Sequence, residues 1–373
     1  MKHTAEVVVI GAGVQGLSAA YHLAALGIRD VVVVEQAFIG AGSSGRSASM
    51  LMLQVWTEWQ VRFSQYCFER FIRFEDEFGV SPEYHRIGTL SLATHETAPE
   101  EQALQEMREG LGVTCERWST EEIRRRFPAI HADDLAFGVY GAEDGVIEAQ
   151  SIMMGYQTRA RELGVEICQG ARAAGIRHEN GRIAAVETTD GVVQTRWVVN
   201  AAGADAALVG SWVGIDIPIA NRVRNVFVTD AFPSIPDDAC PFVWDAATEW
   251  YFRKEHSGLL IGTGKRKLPA AADGIDWTYL DEVFDRVVHR LPGVAEVGIA
   301  YGWSGMRSLS PDHRPILGPV DGVPGFVNSC GWGGEGIMHS PIGGQLVAET
   351  IAYGAARTFP MEPFLLSRFA TPS

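Results

Sequence analysis

The 373-residue sequence is poor in cysteine: Cys67, Cys115, Cys168, Cys240 and Cys330 lie far apart and form no CxxC pair. That spacing excludes a disulfide framework and a cysteine-based zinc site, and it fits a reducing cytoplasm. Basic residues are also in deficit, 31 Lys plus Arg against 46 Asp plus Glu, for a formal charge of −15. A chain of that sign without a basic stripe is unsuited to nucleic acid or to an anionic membrane surface. The apolar start EVVVIGAGVQG is too short for a membrane span and lacks the order of a signal peptide, so no targeting or transmembrane segment is expected. No metal site is expected.

What is present is length and glycine. The 373 residues exceed the usual single core, so two domains, or one discontinuous domain with an insertion, are expected. Hydrophobic content of 46% with 21% charged residues is ordinary for a globular protein. The segment AEVVVIGAGVQGLSAAYHLAALGIRDVVVVE reads as a β-branched strand, a GxGxxG turn (Gly11, Gly13, Gly16), a helix to about Leu26 closed by Gly27, and a second strand ending at Glu35. Gly11 permits the tight turn, Gly13 lets a pyrophosphate approach the backbone, Gly16 lets helix and strand touch, and the helix N-terminus attracts phosphate. Glu35 suits ribose hydroxyls and disfavours a 2′-phosphate, which leaves NAD and FAD.

Three further small-residue segments extend the pattern. FIGAGSSGRSASM offers backbone donors, hydroxyls and a guanidinium through Ser43, Ser44, Gly45 and Arg46. VEICQGARAAGIRHENGRIAAVETTDGVVQTRWVVNAAGA reads as short strands around a turn at Asn180-Gly181, then an apolar strand ending at Ala201-Ala202-Gly203; Ala173, Ala202 and Gly203 are its cofactor-facing candidates. SCGWGGEGIMHSPIGG holds Gly331, Gly333, Gly334, Gly336, Ile337 and Met338, followed by Ser340 as N-cap, Pro341 at the first helical position and an apolar run to Ile351. A nicotinamide cofactor needs one such loop, whereas FAD needs contacts along its ADP, ribityl chain and ring. Convergence of several loops therefore selects FAD, with the late helix aiming its positive end at the flavin.

With these residues in hand, the chain resembles the FAD-dependent amine and amino-acid oxidoreductases: sarcosine oxidase, glycine oxidase, D-amino-acid oxidase and dehydrogenase, and the catalytic subunit of proline dehydrogenases. The likeness runs end to end through VVVIGAGVQGLSAAYHLA, GSSGRSAS, VVNAAGADA, WSGMRSLSPDHRPILGPV and GWGGEGIMHSPIGGQLVAE. It implies a mixed α/β and α+β fold: a discontinuous Rossmann-type FAD-binding domain (1–85, 145–215 and 318–373) with an inserted, mostly antiparallel substrate domain (86–144 and 216–317). WYFRKEHSGLLIGTG, which reads as a hairpin, agrees.

The resemblance also places Arg307 and Tyr251 on the substrate carboxylate. Arg can bind a carboxylate through two parallel bonds, and Tyr adds a neutral donor; a surface ion pair and a core tyrosine are the alternative readings. Arg224 matches a second substrate arginine only loosely. MRSLSPDH has no cysteine where some relatives bond the flavin, so FAD is expected to be non-covalent. Met338 stands where a subgroup carries lysine, which leaves the electron acceptor open between oxygen and another carrier.

The implied activity is oxidation of the Cα–N bond of a small amino acid or N-methyl amino acid to an imine. Alternatives are a catalytic subunit working beside partner subunits, a hydroxy-acid dehydrogenase, and a flavin-holding scaffold. His313 and His339 flank the flavin segments but suit turns or caps. WTEWQVRFSQYCFERFIRFEDEFG reads as an amphipathic core helix, and STEEIRRRF as a capped, solvated one.

Overall fold

Val7–Ile10 is buried at every position, as a strand covered on both faces must be. In the computed structural model, which describes residues 1–179, 181–236, 240–263 and 274–370, it sits inside a six-stranded sheet. The strand order is Ile316–Pro319, Phe326–Cys330, Trp197–Asn200, Val7–Ile10, Val31–Glu35, Glu166–Gln169. Neighbours are parallel except Ile316–Pro319, which is antiparallel to Phe326–Cys330. The crossover helix Val14–Ala25 stops at Leu26 and is followed by Gly27 at φ +96°, the expected βαβ unit.

A second sheet has eight strands, in the order Ile299–Leu309, Ala220–Thr229, Gly258–Thr263, Trp250–Glu255, Phe242–Asp245, Thr89–Thr94, Leu135–Gly141, Glu116–Trp118. It is antiparallel apart from the pair Phe242–Asp245 and Thr89–Thr94. The Rossmann-type α/β and antiparallel α+β character is thus the one expected. Trp250–Glu255 and Gly258–Thr263 form the expected hairpin, although Gly264 lies outside the described residues. So does Asn180 of the expected Asn180-Gly181 turn, between the antiparallel strands Ala173–Glu179 and Arg182–Thr188.

Pleating divides the larger sheet into two unlike faces. Phe227, Trp250, Phe252, Leu259 and Ile261 pack with the helix Tyr279–Arg290. Val226, Val228, Tyr251 and Leu260 instead join the core that contains the first helix. The register Arg222↔Arg307, Arg224↔Gly305 and Val226↔Trp303 puts three arginines on this second face.

The last helix, Ser340–Tyr353, lies against the first: Ser18 Oγ donates to Ser340 O at 2.6 Å. Its N-cap is His339, so Ser340 is the first helical residue and Pro341 the second, one position from expectation. The turn before it is already helical in its bonding, with His339 N–H donating to Glu335 O and Gly343 N–H to His339 O, both at 3.0 Å, and a serine cap has no place there. The aromatic segment forms Glu58–Ile72, breaks at Arg73 and resumes as Phe74–Phe78. Ser119 caps Thr120–Arg126 through Glu122 N–H at 3.2 Å. Among the described residues, no helix is long and apolar enough to cross a membrane.

A Cβ at Gly344 would lie 2.2 Å from Ser18 Oγ and 2.5 Å from the Ser18 carbonyl carbon. Gly344→Val should therefore force the two helices apart and destabilise the protein by about 1–3 kcal/mol. Thermal denaturation of the purified protein would show this as a melting temperature lowered by several degrees.

Candidate active site

A helix start leaves amide donors unmatched, and the fold gathers two such starts. At the first, Val14 N–H donates to Ser44 Oγ at 3.1 Å. The N–H groups of Gly13, Gln15 and Gly16 find no acceptor among the described residues. Gly11, at φ +102°, and Gly16 tolerate no side chain: a Cβ would meet Ala201 O at 2.5 Å and Gly11 O at 2.0 Å respectively. Glu35, at the end of its strand, accepts from Ala12 N–H and Ala37 N–H at 2.9 Å each, which aims the carboxylate at this turn and leaves lone pairs for hydroxyl donors. Gly170 N–H donates to Ala37 O at 2.9 Å, and Ala173 opens its strand three residues later.

The second start is the late turn. Gly331 and Gly333 take φ +73° and +57°, and Gln15 Nε2 donates to Gly336 O at 2.8 Å, tying the two turns together. The N–H groups of Gly336, Ile337 and Met338 have no acceptor among the described residues. The side chains of Ile337 and Met338 are buried in the core, so these two residues face the turn with backbone alone. Ala202 leads into the short helix Gly203–Asp205, beside Gly11. The segment carrying Gly45 is pinned from the other side, since Ser43 Oγ donates to Met306 O at 2.6 Å and Arg46 O accepts from Trp303 Nε1 at 3.0 Å.

Over the late turn stands the larger sheet. Gly333 N–H donates to Ser308 O at 3.0 Å, and a Cβ on Gly334 would lie 2.8 Å from Arg307 Cζ, so the guanidinium rests on bare backbone. The Tyr251 ring stacks on Phe242 at 5.1 Å and lies across Gly262, where a Cβ would come within 2.3 Å of its hydroxyl. The ladder row Tyr251, Gly262, Val226, Trp303 is adjacent to the row of Arg224 and Gly305. Burial, and then the charge of Arg307, holds the Arg224 guanidinium below the usual arginine range. Sequence reasoning had left Arg224 undecided; the register sets it between Tyr251 and Arg307.

Neither highlighted histidine is placed as a base. His339 is fully buried, burial pushes its pKa down to about 3, and Nε2 lies 3.1 Å from Ser64 Oγ. His313 is exposed, in a left-handed turn position at φ +61°. The tryptophans of the aromatic segment pack into the fold: Trp59 edge-on against Phe63 and Phe364, and Trp56 edge-on to Trp244. His131, Asp134 and His289 have metal-ligand character, but both Asp134 oxygens already accept from Arg290, at 2.6 and 3.0 Å. That cation opposes another.

The family model described as FAD dependent oxidoreductase (DAO) matches residues 6–350. The chain belongs to the FAD-dependent oxidoreductase family. It is 30% identical over 377 residues to the mitochondrial dimethylglycine dehydrogenase of Rattus norvegicus, covering 95% of this chain and 43% of that protein. It is 25% identical to the sarcosine oxidase subunit beta of Rhizobium meliloti, with 98% of this chain and 88% of that one covered. The mitochondrial pyruvate dehydrogenase phosphatase regulatory subunit of Mus musculus is 24% identical, over 94% of this chain and 42% of its own length. Among solved structures, the L-proline dehydrogenase from P. horikoshii superposes with a TM-score of 0.90 at 26% identity, covering 99% and 98% of the two chains. The chain spans less than half the length of the first mitochondrial relatives it matches.

FAD is accordingly the cofactor of this oxidoreductase. The residues present fit it: six unmatched amide donors at two linked turns, one carboxylate at a strand end, and glycines wherever a Cβ would collide. A carboxylate accepting from hydroxyls contributes about 1.5–3 kcal/mol, so Glu35→Ala should weaken FAD binding by about 10- to 100-fold. The ratio of flavin to protein absorbance after gel filtration, followed by titration with FAD, would measure it.

Proposed function

We propose that this flavoprotein oxidises the Cα–N bond of a small amino acid or N-methyl amino acid, of glycine, sarcosine, proline or D-amino-acid type, to an imine that water then hydrolyses. The observation that carries this reading is Arg307 lying on the Gly334 backbone, on the sheet face that also presents Tyr251. Residues 1–85, 145–215 and 318–373 would hold FAD, through Gly11, Gly13, Gly16, Glu35, the 43–46 loop, Ala173, Ala202, Gly203 and the 331–338 turn. Residues 86–144 and 216–317 would cover the flavin ring.

FAD, when bound, supplies a two-electron acceptor at N5 for the hydride leaving Cα. The chain's own task is then placement. Arg307 clamps the substrate carboxylate with parallel charge-assisted bonds, and Tyr251 donates to it without adding charge. A neutral amine held face-on needs no further base, and such positioning carries most of the acceleration. Met306–His313 holds no cysteine, so the flavin dissociates without a bond being broken.

The sarcosine oxidase subunit beta likeness favours a second reading, a catalytic subunit that passes its electrons on beside partner chains. The likeness to a phosphatase regulatory subunit raises a third, a flavin-holding scaffold without turnover, which leaves the Arg307 and Tyr251 arrangement without a purpose.

Anaerobic stopped-flow mixing of the yellow protein with glycine, sarcosine, L-proline and D-amino acids separates these readings. Bleaching of the flavin band identifies an amino-acid oxidoreductase. Rapid recovery on readmitting air makes it an oxidase, and slow recovery points to another acceptor. A flavin that stays oxidised throughout rejects the proposal. Arg307→Ala should raise KM for the bleaching substrate on the order of 100-fold, with a smaller change in kcat, because it removes one half of a charge pair. Unchanged KM and kcat would reject the assigned clamp.

A further inference from the structure

The late turn carries one charged side chain that nothing above uses, Glu335. Three elements close on it and leave it 22% exposed. From the helix Glu58–Ile72, Gln60 donates its amide N–H to Oε1. From the last helix's N-cap, His339 Nδ1 lies 3.5 Å from Oε2. From the strand Ile299–Leu309, Arg307 lies beside the adjoining Gly334 and acts on the carboxyl with the opposite charge. Behind Arg307, Arg224 adds a second positive charge on the same sheet face.

Burial favours the neutral acid, while the Gln60 bond and the Arg307 charge favour the carboxylate, and the balance brings Glu335 up to about 7. His339 cannot neutralise it, since burial keeps the imidazole itself uncharged. Arg307, over the neighbouring Gly334, therefore has within range of its charge an acid whose own charge depends on a single proton. A substrate carboxylate arriving on the same guanidinium would put two anions side by side. Two carboxylates so placed share one proton rather than both ionising.

We propose that Glu335 is a positioning residue for Arg307: it engages the guanidinium as a carboxylate in the empty site and takes up one proton from water when a substrate carboxylate replaces it there. This rests on the reading of Arg307 as the carboxylate clamp. It makes affinity for carboxylate ligands a function of pH through a residue that does not itself touch the substrate. The proton taken up appears on Glu335, and no bond of the ligand is made or broken.

The test uses the FAD-loaded protein and two unreactive carboxylates, acetate and propionate, in isothermal titration calorimetry across pH. Binding should be independent of pH well below about 7 and should weaken about tenfold per unit above it. At about pH 8, titrations in buffers of different ionisation enthalpy should register close to one proton taken up per ligand. Glu335→Gln should abolish both the slope and the proton uptake and should bind more tightly than the parent at that pH. Gln60→Leu removes a bond that favours the charged form, so it should shift the onset of weakening to higher pH. It serves independently should Glu335→Gln not retain FAD.

A parent protein that binds both carboxylates without slope or proton uptake overturns the coupling and leaves the clamp standing. A Glu335→Gln protein that keeps both effects overturns it equally. Failure to bind either carboxylate at any pH removes the clamp and the coupling together.

Discussion

Everything at this site depends on helix ends that the chain leaves unfinished. Backbone donors at the start of Val14–Ala25 and in the turn that leads into Ser340–Tyr353 have no acceptor among the described residues, and Gln15 bonded to Gly336 O holds the two together. Orphan donors at a helix start are tolerated only where water or a ligand takes them, and their summed dipole favours an anion. The surrounding glycines follow from this requirement. Gly16 lets the first helix touch the Gly11 turn, Gly344 lets the last helix touch Ser18, and any larger residue would move one start away from the other. The antiparallel sheet is then fastened on top by Ser43 to Met306, Trp303 to Arg46, and Gly333 to Ser308, so floor and roof share one set of short bonds.

The roof carries charge of the sign opposite to the chain as a whole. Against a net −15, one face gathers Arg222, Arg224 and Arg307, with Arg222 and Arg307 directly opposed across the strand pair. Like charges in that relation are destabilising, and burial and the charge of Arg307 hold Arg224 below the usual arginine range. In the proposed reading such a concentration serves to receive an anion, and it costs less while a nearby carboxylate can ionise. Glu335 lies next to Gly334 under Arg307, where burial raises its carboxyl and the Gln60 bond and the Arg307 charge oppose that rise.

Much of this was legible along the chain, because local features announced the relevant elements. The β-branched run before Gly11, the strand ending at Glu35 and the glycine-dense stretch after Ser329 each combine a composition with a boundary. Strand ends and helix starts are where a doubly wound fold binds ligands. What could not be read depends on contacts distant in sequence. Glu335 looked like one more residue in a glycine turn, because its environment comes from Gln60, 275 positions earlier, and from Arg307 on another sheet. Arg224 stayed undecided until the pairing of Ala220–Thr229 with Ile299–Leu309 set its row. Ser340 had the composition of a cap, but the tight turn from Glu335 started the helix one residue early.

Two glutamates on this site illustrate how little residue type alone decides. Glu35 closes a parallel strand and accepts two backbone N–H groups, which fix its orientation. Glu335 has one amide donor from Gln60, a histidine that burial keeps neutral, and nearby Arg307, the guanidinium proposed to bind substrate. The first arrangement, a carboxylate held by backbone, would suit a cofactor that stays. Under the proposed coupling, the second would suit a ligand that arrives and leaves, each arrival being met by moving a proton instead of moving the backbone. A site whose floor is held by glycine contacts with no room to shift has few other ways to accommodate a second anion.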